Sequence, residues 1–216
     1  MRDWDSFGLL RVGASITIGS QFLPSYVKAF SSKYPGTEVR AMVAPTNELE
    51  QKVLKNELDF ALVEGIPLSP SLVSEAYMDD YLTVICPVYS KFRDKQTITI
   101  DEFRQQKFLL REPGSGTREV FERVVESAGF TVSPIWEAMS TTALINAVIN
   151  DLGIAVLPHR LVKDPIERGL VTAVQVEGLD FSRKFNIVYH KEKFLTTSAK
   201  AFLDLCRNFE ADYPLP

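Results

Sequence analysis

Leu9-Leu10-Arg11-Val12-Gly13-Ala14, followed by Phe22, Leu23, Tyr26, Val27 and Phe30, is the stretch on which the reading of this chain turns. The first six residues form an apolar run of strand length, and the next five recur at the spacing of one helix face. That helix ends near Gly36, and Pro24 is tolerated only in its first turn, where a missing N–H breaks no helical bond. Val39, Ala41 and Val43 then alternate as in a strand. Asn47 followed by Glu50 marks a helix start, and Leu49, Val53 and Leu54 give that helix its apolar side. Phe60-Ala61-Leu62-Val63 is a short buried strand, so the order is strand, helix, strand, helix, strand.

The same order returns about one hundred residues later, a spacing that fits domain size. A strand over Lys107–Arg111 leads to a helix carrying Val120, Phe121, Val124 and Val125 up to Gly129. A strand over Ile135–Met139, a helix with Leu144, Ile145, Val148 and Leu152, and a strand over Ile154–Leu157 follow. Parallel strands need right-handed crossovers, so each half predicts an open sheet flanked by helices, an α/β fold of two lobes. Two further apolar runs, Tyr81–Val88 and Phe185–Tyr189, read as strands crossing from lobe to lobe. The expected division is a leader over 1–8, lobe I over 9–84 plus 190–216, and lobe II over 85–189, with hinge strands near 84–88 and 185–189. A last helix, with Phe202, Leu205, Cys206 and Phe209 on one side, is expected to pack back on lobe I.

Composition narrows the function. The 216 residues are 45% hydrophobic and 24% charged, which excludes a disordered or low-complexity chain. Lys plus Arg number 24 against 28 Asp plus Glu, a net charge of -4 and the wrong sign for a duplex-binding surface. Cys86 and Cys206 stand far apart with no Cys-x-x-Cys and no Cys/His cluster, so neither a disulfide framework nor a metal site is expected, and both read as free buried thiols. The start lacks the apolar core of a signal peptide and no apolar run approaches the roughly 18 residues of a membrane span, so a cytoplasmic protein is expected.

In open α/β sheets, ligands gather beyond the carboxyl ends of the strands, where helix N-termini aim N–H groups at them. Four loops qualify. In Ala14-Ser15-Ile16-Thr17-Ile18-Gly19, Ser15 and Thr17 place hydroxyls at alternate positions, and the plain reading is a helix cap by Thr17 or Ser20. In Arg111-Glu112-Pro113-Gly114-Ser115-Gly116-Thr117-Arg118, Gly114 and Gly116 allow close backbone approach, and Ser115 and Thr117 offer hydroxyls beside free amides. Arg118 has the unfavourable sign for a first helical turn, which points to an anion or to pairing with Glu112 or Glu119. The spacing is not that of a nucleotide-binding P-loop. Ser140-Thr141-Thr142 opens the helix containing Asn146, and Ala44-Pro45-Thr46-Asn47 opens one in the first lobe. Together these loops favour a small anionic ligand held between the lobes, with Glu64 and Gly65 bordering the same cleft. Candidates for catalysis are thin: His159 and His190 have neither triad nor metal spacing, and both cysteines sit in apolar patterns.

With these loops in view, the chain resembles the C-terminal effector-binding domain of LysR-type transcriptional regulators from Gly8 to about Tyr213. The residues that carry the likeness are Leu10-Arg11-Val12-Gly13-Ala14-Ser15 with Phe22-Leu23-Pro24, then Phe30 with Tyr34-Pro35, Leu58-Asp59-Phe60-Ala61-Leu62-Val63, and Leu152-Gly153-Ile154-Ala155-Val156-Leu157-Pro158. The resemblance implies a periplasmic-binding-protein-like (type 2) pair of lobes with the inducer in the cleft between them. It assigns the effector to Ser15 and Thr17, to Ser115, Thr117 and Arg118, and to Ser140, Thr141 and Asn146. Sulfate-responsive members tend to be polar where this chain has Ile18, which argues against that effector.

The resemblance further implies homodimers packed side by side through the helix carrying Tyr26 and Phe30, within tetramers of a longer protein. DNA would be bound only by an N-terminal winged helix-turn-helix that this stretch lacks. A non-catalytic, cofactor-free sensor of a small anionic metabolite is the expected function. A free-standing solute-binding protein of the same fold is the alternative, and an enzyme on a similar two-lobe scaffold is a third reading.

Overall fold

A computed structural model describes residues 8–67 and 69–212, the side chains of 210–212 excepted. Of the expected leader only Gly8 falls within the described residues. In chain order the elements are β1 (Gly8–Ala14), α1 (Ile16–Gln21), α2 (Leu23–Lys33), β2 (Thr37–Val43), α3 (Thr46–Leu54), β3 (Phe60–Glu64), β4 (Leu72–Pro87), β5 (Thr97–Ile98), α4 (Ile100–Arg104), β6 (Phe108–Arg111), α5 (Gly116–Ser127), β7 (Trp136–Ala138), α6 (Thr141–Ile149), β8 (Ile154–Pro158), α7 (His159–Glu167), β9 (Val171–Val176), β10 (Ser182–His190) and α8 (Thr197–Asp212). The chain divides into two compact units at Met78/Asp79 and at Arg183/Lys184. Both divisions fall inside strands, β4 and β10, a few residues before the boundaries expected near 84 and 189.

In the first unit the strand order is β2-β1-β3-β10-β4. β1 is parallel to β2 from Gly8↔Thr37 to Ala14↔Val43 and parallel to β3 from Val12↔Phe60, while β10 is antiparallel to β3. Val12, Phe22, Tyr26, Phe30, Phe60 and Phe185 are buried together with Phe202, Leu203, Cys206 and Phe209 of α8. The last helix therefore belongs to the first unit, with Leu203 fully buried and Leu205 only partly so.

Local chemistry revises several expectations here. The single helix expected from Phe22 is preceded by a separate short one, α1, which ends where the Phe22 N–H bonds the Ile18 carbonyl; Pro24 then lies in the first turn of α2. Asn47 does not cap α3. That helix starts at Thr46 after Pro45, and Asn47 Oδ1 instead accepts from the Glu48 N–H at 2.8 Å. Tyr26 and Phe30 are fully buried, Tyr26 lying 4.7 Å from Phe209 and Phe30 5.1 Å from Phe202, so both are core and a dimer through this helix would use its other side. The exposed side of α2 carries Pro24, Lys28, Ser31 and Ser32.

In the second unit β6 lies between β7 and β8 and is parallel to both, whereas β4 is antiparallel to β8 and β9. The expected strand-helix-strand-helix-strand run is present over 108–158, with Val120, Phe121 and Val125 of α5 and Leu144, Ile145 and Val148 of α6 buried. β6 and β8 approach closely because of Gly153: a Cβ there would stand 2.4 Å from the Lys107 carbonyl oxygen, which also accepts the Ile154 N–H at 2.8 Å. Gly153→Ala is expected to destabilise this unit by about 1–3 kcal/mol, read as a lower denaturant midpoint at unchanged slope. An unchanged midpoint would show that the strands separate freely.

Candidate functional site

In the first unit, β1 lies between β2 and β3, so the chain leaving each of the three carboxyl ends meets at one sheet edge. Ser15 follows β1 and is held by its N–H to the Leu62 carbonyl at 2.9 Å. It stands at the cap position of α1 without making a side-chain cap, and Thr17 lies inside that helix. Ser15 is 1% exposed and Thr17 0%, yet among the described residues neither hydroxyl has a hydrogen-bond partner. The expected cap by Thr17 or Ser20 is not formed, since Ser20 Oγ donates back to the Ile16 carbonyl. Thr46, buried at the start of α3, donates to Glu64 Oε2 at 3.4 Å, and Asn186 Nδ2 pins the Gly65 carbonyl at 2.6 Å. A buried hydroxyl without a partner costs about 1–3 kcal/mol, so Ser15 and Thr17 are maintained against stability.

In the second unit, the registry Arg111↔Ala138 sets β6 beside β7 and brings the loops after them to one edge. Gly114 has φ 83°, a left-handed conformation that glycine adopts without a Cβ penalty. Ser115 then stands at the cap position of α5 with no side-chain cap, and Gly116 and Thr117 form the buried first turn. Ser140 caps α6, its Oγ accepting from the Ala143 N–H at 3.2 Å; Thr141 is buried behind it, and Asn146 is exposed further along.

The arginines fall out differently from the sequence reading. Arg118 donates from Nε to Glu122 at 2.7 Å and from Nη1 to Glu137 at 2.5 Å and to the Arg111 carbonyl at 3.1 Å. Its charge in the first helical turn is therefore met by carboxylates of α5 and β7. Glu112 is taken by Arg111 through two bonds of 2.8 and 2.9 Å, and Arg111 Nη1 lies 3.5 Å from Thr141 Oγ1. Arg183, absent from the sequence-derived set, is buried. Its Nε and Nη2 each lie 2.7 Å from Asp80 Oδ2, and its Nη1 donates to Thr117 Oγ1 at 3.1 Å. Burial raises the Asp80 carboxyl above its ordinary value, against the pull of Arg183.

A signal for this pair was present in the strand period. Arg183 is in phase with Phe185 and Ile187, and Asp80 with Leu82 and Val84, so a lone charge of each sign stands in a row of core residues. Glu64, at the end of an entirely buried strand, is legible in the same way.

The groups considered for catalysis are engaged elsewhere. His159 stacks on Tyr81 with ring centroids 4.5 Å apart and its Nδ1 is 3.0 Å from Thr83 Oγ1; burial lowers its pKa. His190 Nδ1 accepts from the Glu192 N–H. Burial pushes the Cys86 thiol up to about 12 and the Cys206 thiol well up, so both stay protonated near neutrality. Among the described residues there is no group of three metal-ligating side chains, and no helix is long and apolar enough to cross a membrane. A groove of about 1100 Å³ in the second unit, lined by Tyr81, Thr83, His159 and Gln175 among others, contains none of the residues proposed from the sequence to bind a ligand.

The LysR substrate binding domain model matches residues 5–211. The Phosphonates import ATP-binding protein PhnC of Anaeromyxobacter dehalogenans is 34% identical over 204 residues, which are 93% of this chain but 41% of that protein. No Walker A sequence occurs in these 216 residues. The HTH-type transcriptional regulator YeiE of Escherichia coli strain K12 is 29% identical over 199 residues, 92% of this chain and 68% of that protein. The regulatory domain of CcmR from Synechocystis PCC6803, solved in complex with 2-PG, superposes with a TM-score of 0.86 at 25% identity, covering 96% of this chain and 100% of that one.

Proposed function

Because the chain belongs to the LysR substrate binding domain family, which serves transcriptional regulators and not enzymes, we propose that this effector-sensing domain responds to a small oxyanion-bearing metabolite. The observation that carries the proposal is the pair of buried, unpartnered hydroxyls of Ser15 and Thr17. Buried hydroxyls of this kind have their missing bonds supplied from outside the protein chain, and two of them side by side at one strand end are suited to a ligand oxygen. Thr46 on the first unit, and the Gly114-Ser115-Gly116-Thr117 turn, Ser140, Thr141 and Asn146 on the second, are the other proposed contacts. Arg118 acts by holding that turn through Glu122 and Glu137. The 2-PG bound by the CcmR regulatory domain is an oxyanion precedent on the same fold. Binding would change the arrangement of a cytoplasmic homodimer whose DNA contacts are made by a part of the protein outside this chain.

The test is thermal unfolding against 2-PG, phosphate, sulfate, organic acids, sugar phosphates, nucleotides and amino-acid derivatives. A ligand at one hundred times its Kd adds about 2.7 kcal/mol, or roughly 5–11 °C at this size. Thr17→Val is expected to abolish the selective shift while raising the stability of the ligand-free protein by about 1 kcal/mol, because it removes a desolvated hydroxyl. A Thr17→Val protein that is less stable and still binds its ligand would remove Thr17 from the site.

A further inference from the structure

We infer that Arg183 sets the ligand selectivity of the second unit: by donating to Thr117 Oγ1 it occupies one lone pair and places a cation behind the hydroxyl, which favours donation to an oxyanion over contact with a neutral, amide-bearing analogue. The inference rests on the proposed function and names the residue behind its chemistry.

A threonine hydroxyl has one proton and two lone pairs and rotates to suit its surroundings, whereas a guanidinium has only donors. The Arg183 Nη1 bond of 3.1 Å therefore occupies a lone pair of Thr117 and directs its proton elsewhere. Among the described residues no protein acceptor receives that proton, and Thr117 is only 2% exposed. The arginine itself is held in place, because Asp80 engages Nε and Nη2 and leaves Nη1 for the threonine. A cation directly behind a hydroxyl also strengthens its outward bond to a charged acceptor. Arg111 stands in the same relation to Thr141 at the longer distance of 3.5 Å. A ligand presenting an N–H where an oxyanion belongs would find only the remaining lone pair of a hydroxyl backed by a cation, a weaker bond than the one a charged acceptor receives.

The experiment measures affinities of acetate, sulfate and 2-PG against acetamide and sulfamide, by calorimetry and thermal shift. The wild-type chain is expected to prefer the oxyanions. Arg183→Gln frees the hydroxyl to rotate and should lower the oxyanion-to-amide ratio by about tenfold or more, the worth of one charge-assisted bond. Arg183→Lys keeps a donor and should retain most of the ratio. Thr117→Ser should also retain it and Thr117→Val should collapse it, a pair that keeps the inference testable if Arg183→Gln folds poorly. A ratio unchanged in Arg183→Gln, or unchanged in Thr117→Val, overturns the inference even if both affinities fall together, since a merely structural role moves them in parallel. A wild-type chain that answers to no oxyanion refutes the proposed function itself.

Discussion

Asp80→Ala is expected to destabilise the second unit by about 3–5 kcal/mol, one of the largest losses available from a polar residue in this chain. The Asp80 and Arg183 side chains are each 1% exposed and lie 2.7 Å apart. Removing the carboxylate takes a counter-charge from a desolvated guanidinium, and Thr117, which accepts from Nη1, carries no charge to replace it. Arg160, whose Nε lies 3.8 Å from the other Asp80 oxygen, loses the same carboxylate. At 2–4 °C per kcal/mol for a chain of this size, the midpoint should fall by roughly 6–20 °C. Replacing both partners by apolar residues, Asp80→Leu with Arg183→Met, should restore most of the loss, since the cost lies in the unpaired charge and not in the missing bond. A thermal melt of the three variants checks this. An Asp80→Ala midpoint within a degree or two of the parent would be incompatible with a buried pair. If the double variant is as stable as the parent but has lost its preference for oxyanions, the pair is present for recognition at no net gain in stability.

Phe202→Ala is the second large effect, with an expected loss of about 3–5 kcal/mol. The ring stands 5.1 Å from Phe30 and 5.5 Å from Phe60, joining α8 to a helix and a strand from the other end of the sequence. Leu203, Cys206 and Phe209 still hold α8 to the first unit if that ring is removed, but the residual cavity adds to the lost transfer energy. Leu205→Ala, one turn further along, should cost a small fraction of this, because Leu205 is only partly buried. Denaturant unfolding of the two variants gives the comparison. Equal losses would mean that α8 packs through a different face from the one described.

The order of strands and helices was legible because it is carried by local periodicity. Apolar residues at helical spacing in Gly116–Ser127 and Thr141–Ile149, and short apolar runs at Phe60–Glu64 and Ile154–Pro158, each specify one element with no reference to the rest of the chain. Helix starts were less legible. Asn47 and Thr17 have the chemistry of caps, but the first-turn geometry is set by Pro45 and by the Ser15 N–H bond to Leu62, neither of which is visible in a list of capping residues. The candidate loops were found by the same local logic, since strand ends followed by helix starts lie at sheet edges in any parallel α/β unit. Of the two carboxylates that Arg118 meets, Glu122 stands at i,i+4 on the same helix, whereas Glu137 is close only once β7 lies beside β6 and could not be read from local spacing.

Length-scale separates the two kinds of information. Fold class, element order, the absence of a zinc pattern and the hydroxyl-bearing loops follow from patterns a few residues wide, where the period of the backbone dictates which side chains share a face. The roles of individual charged groups follow from contacts that span 66 residues between Thr117 and Arg183 and 103 between Asp80 and Arg183. Such contacts arise only when strands from distant parts of the chain align in one unit. Burial is then what decides their energetics: the same Asp and Arg at the surface would be worth almost nothing, whereas desolvated together they make a pair that neither member can leave alone.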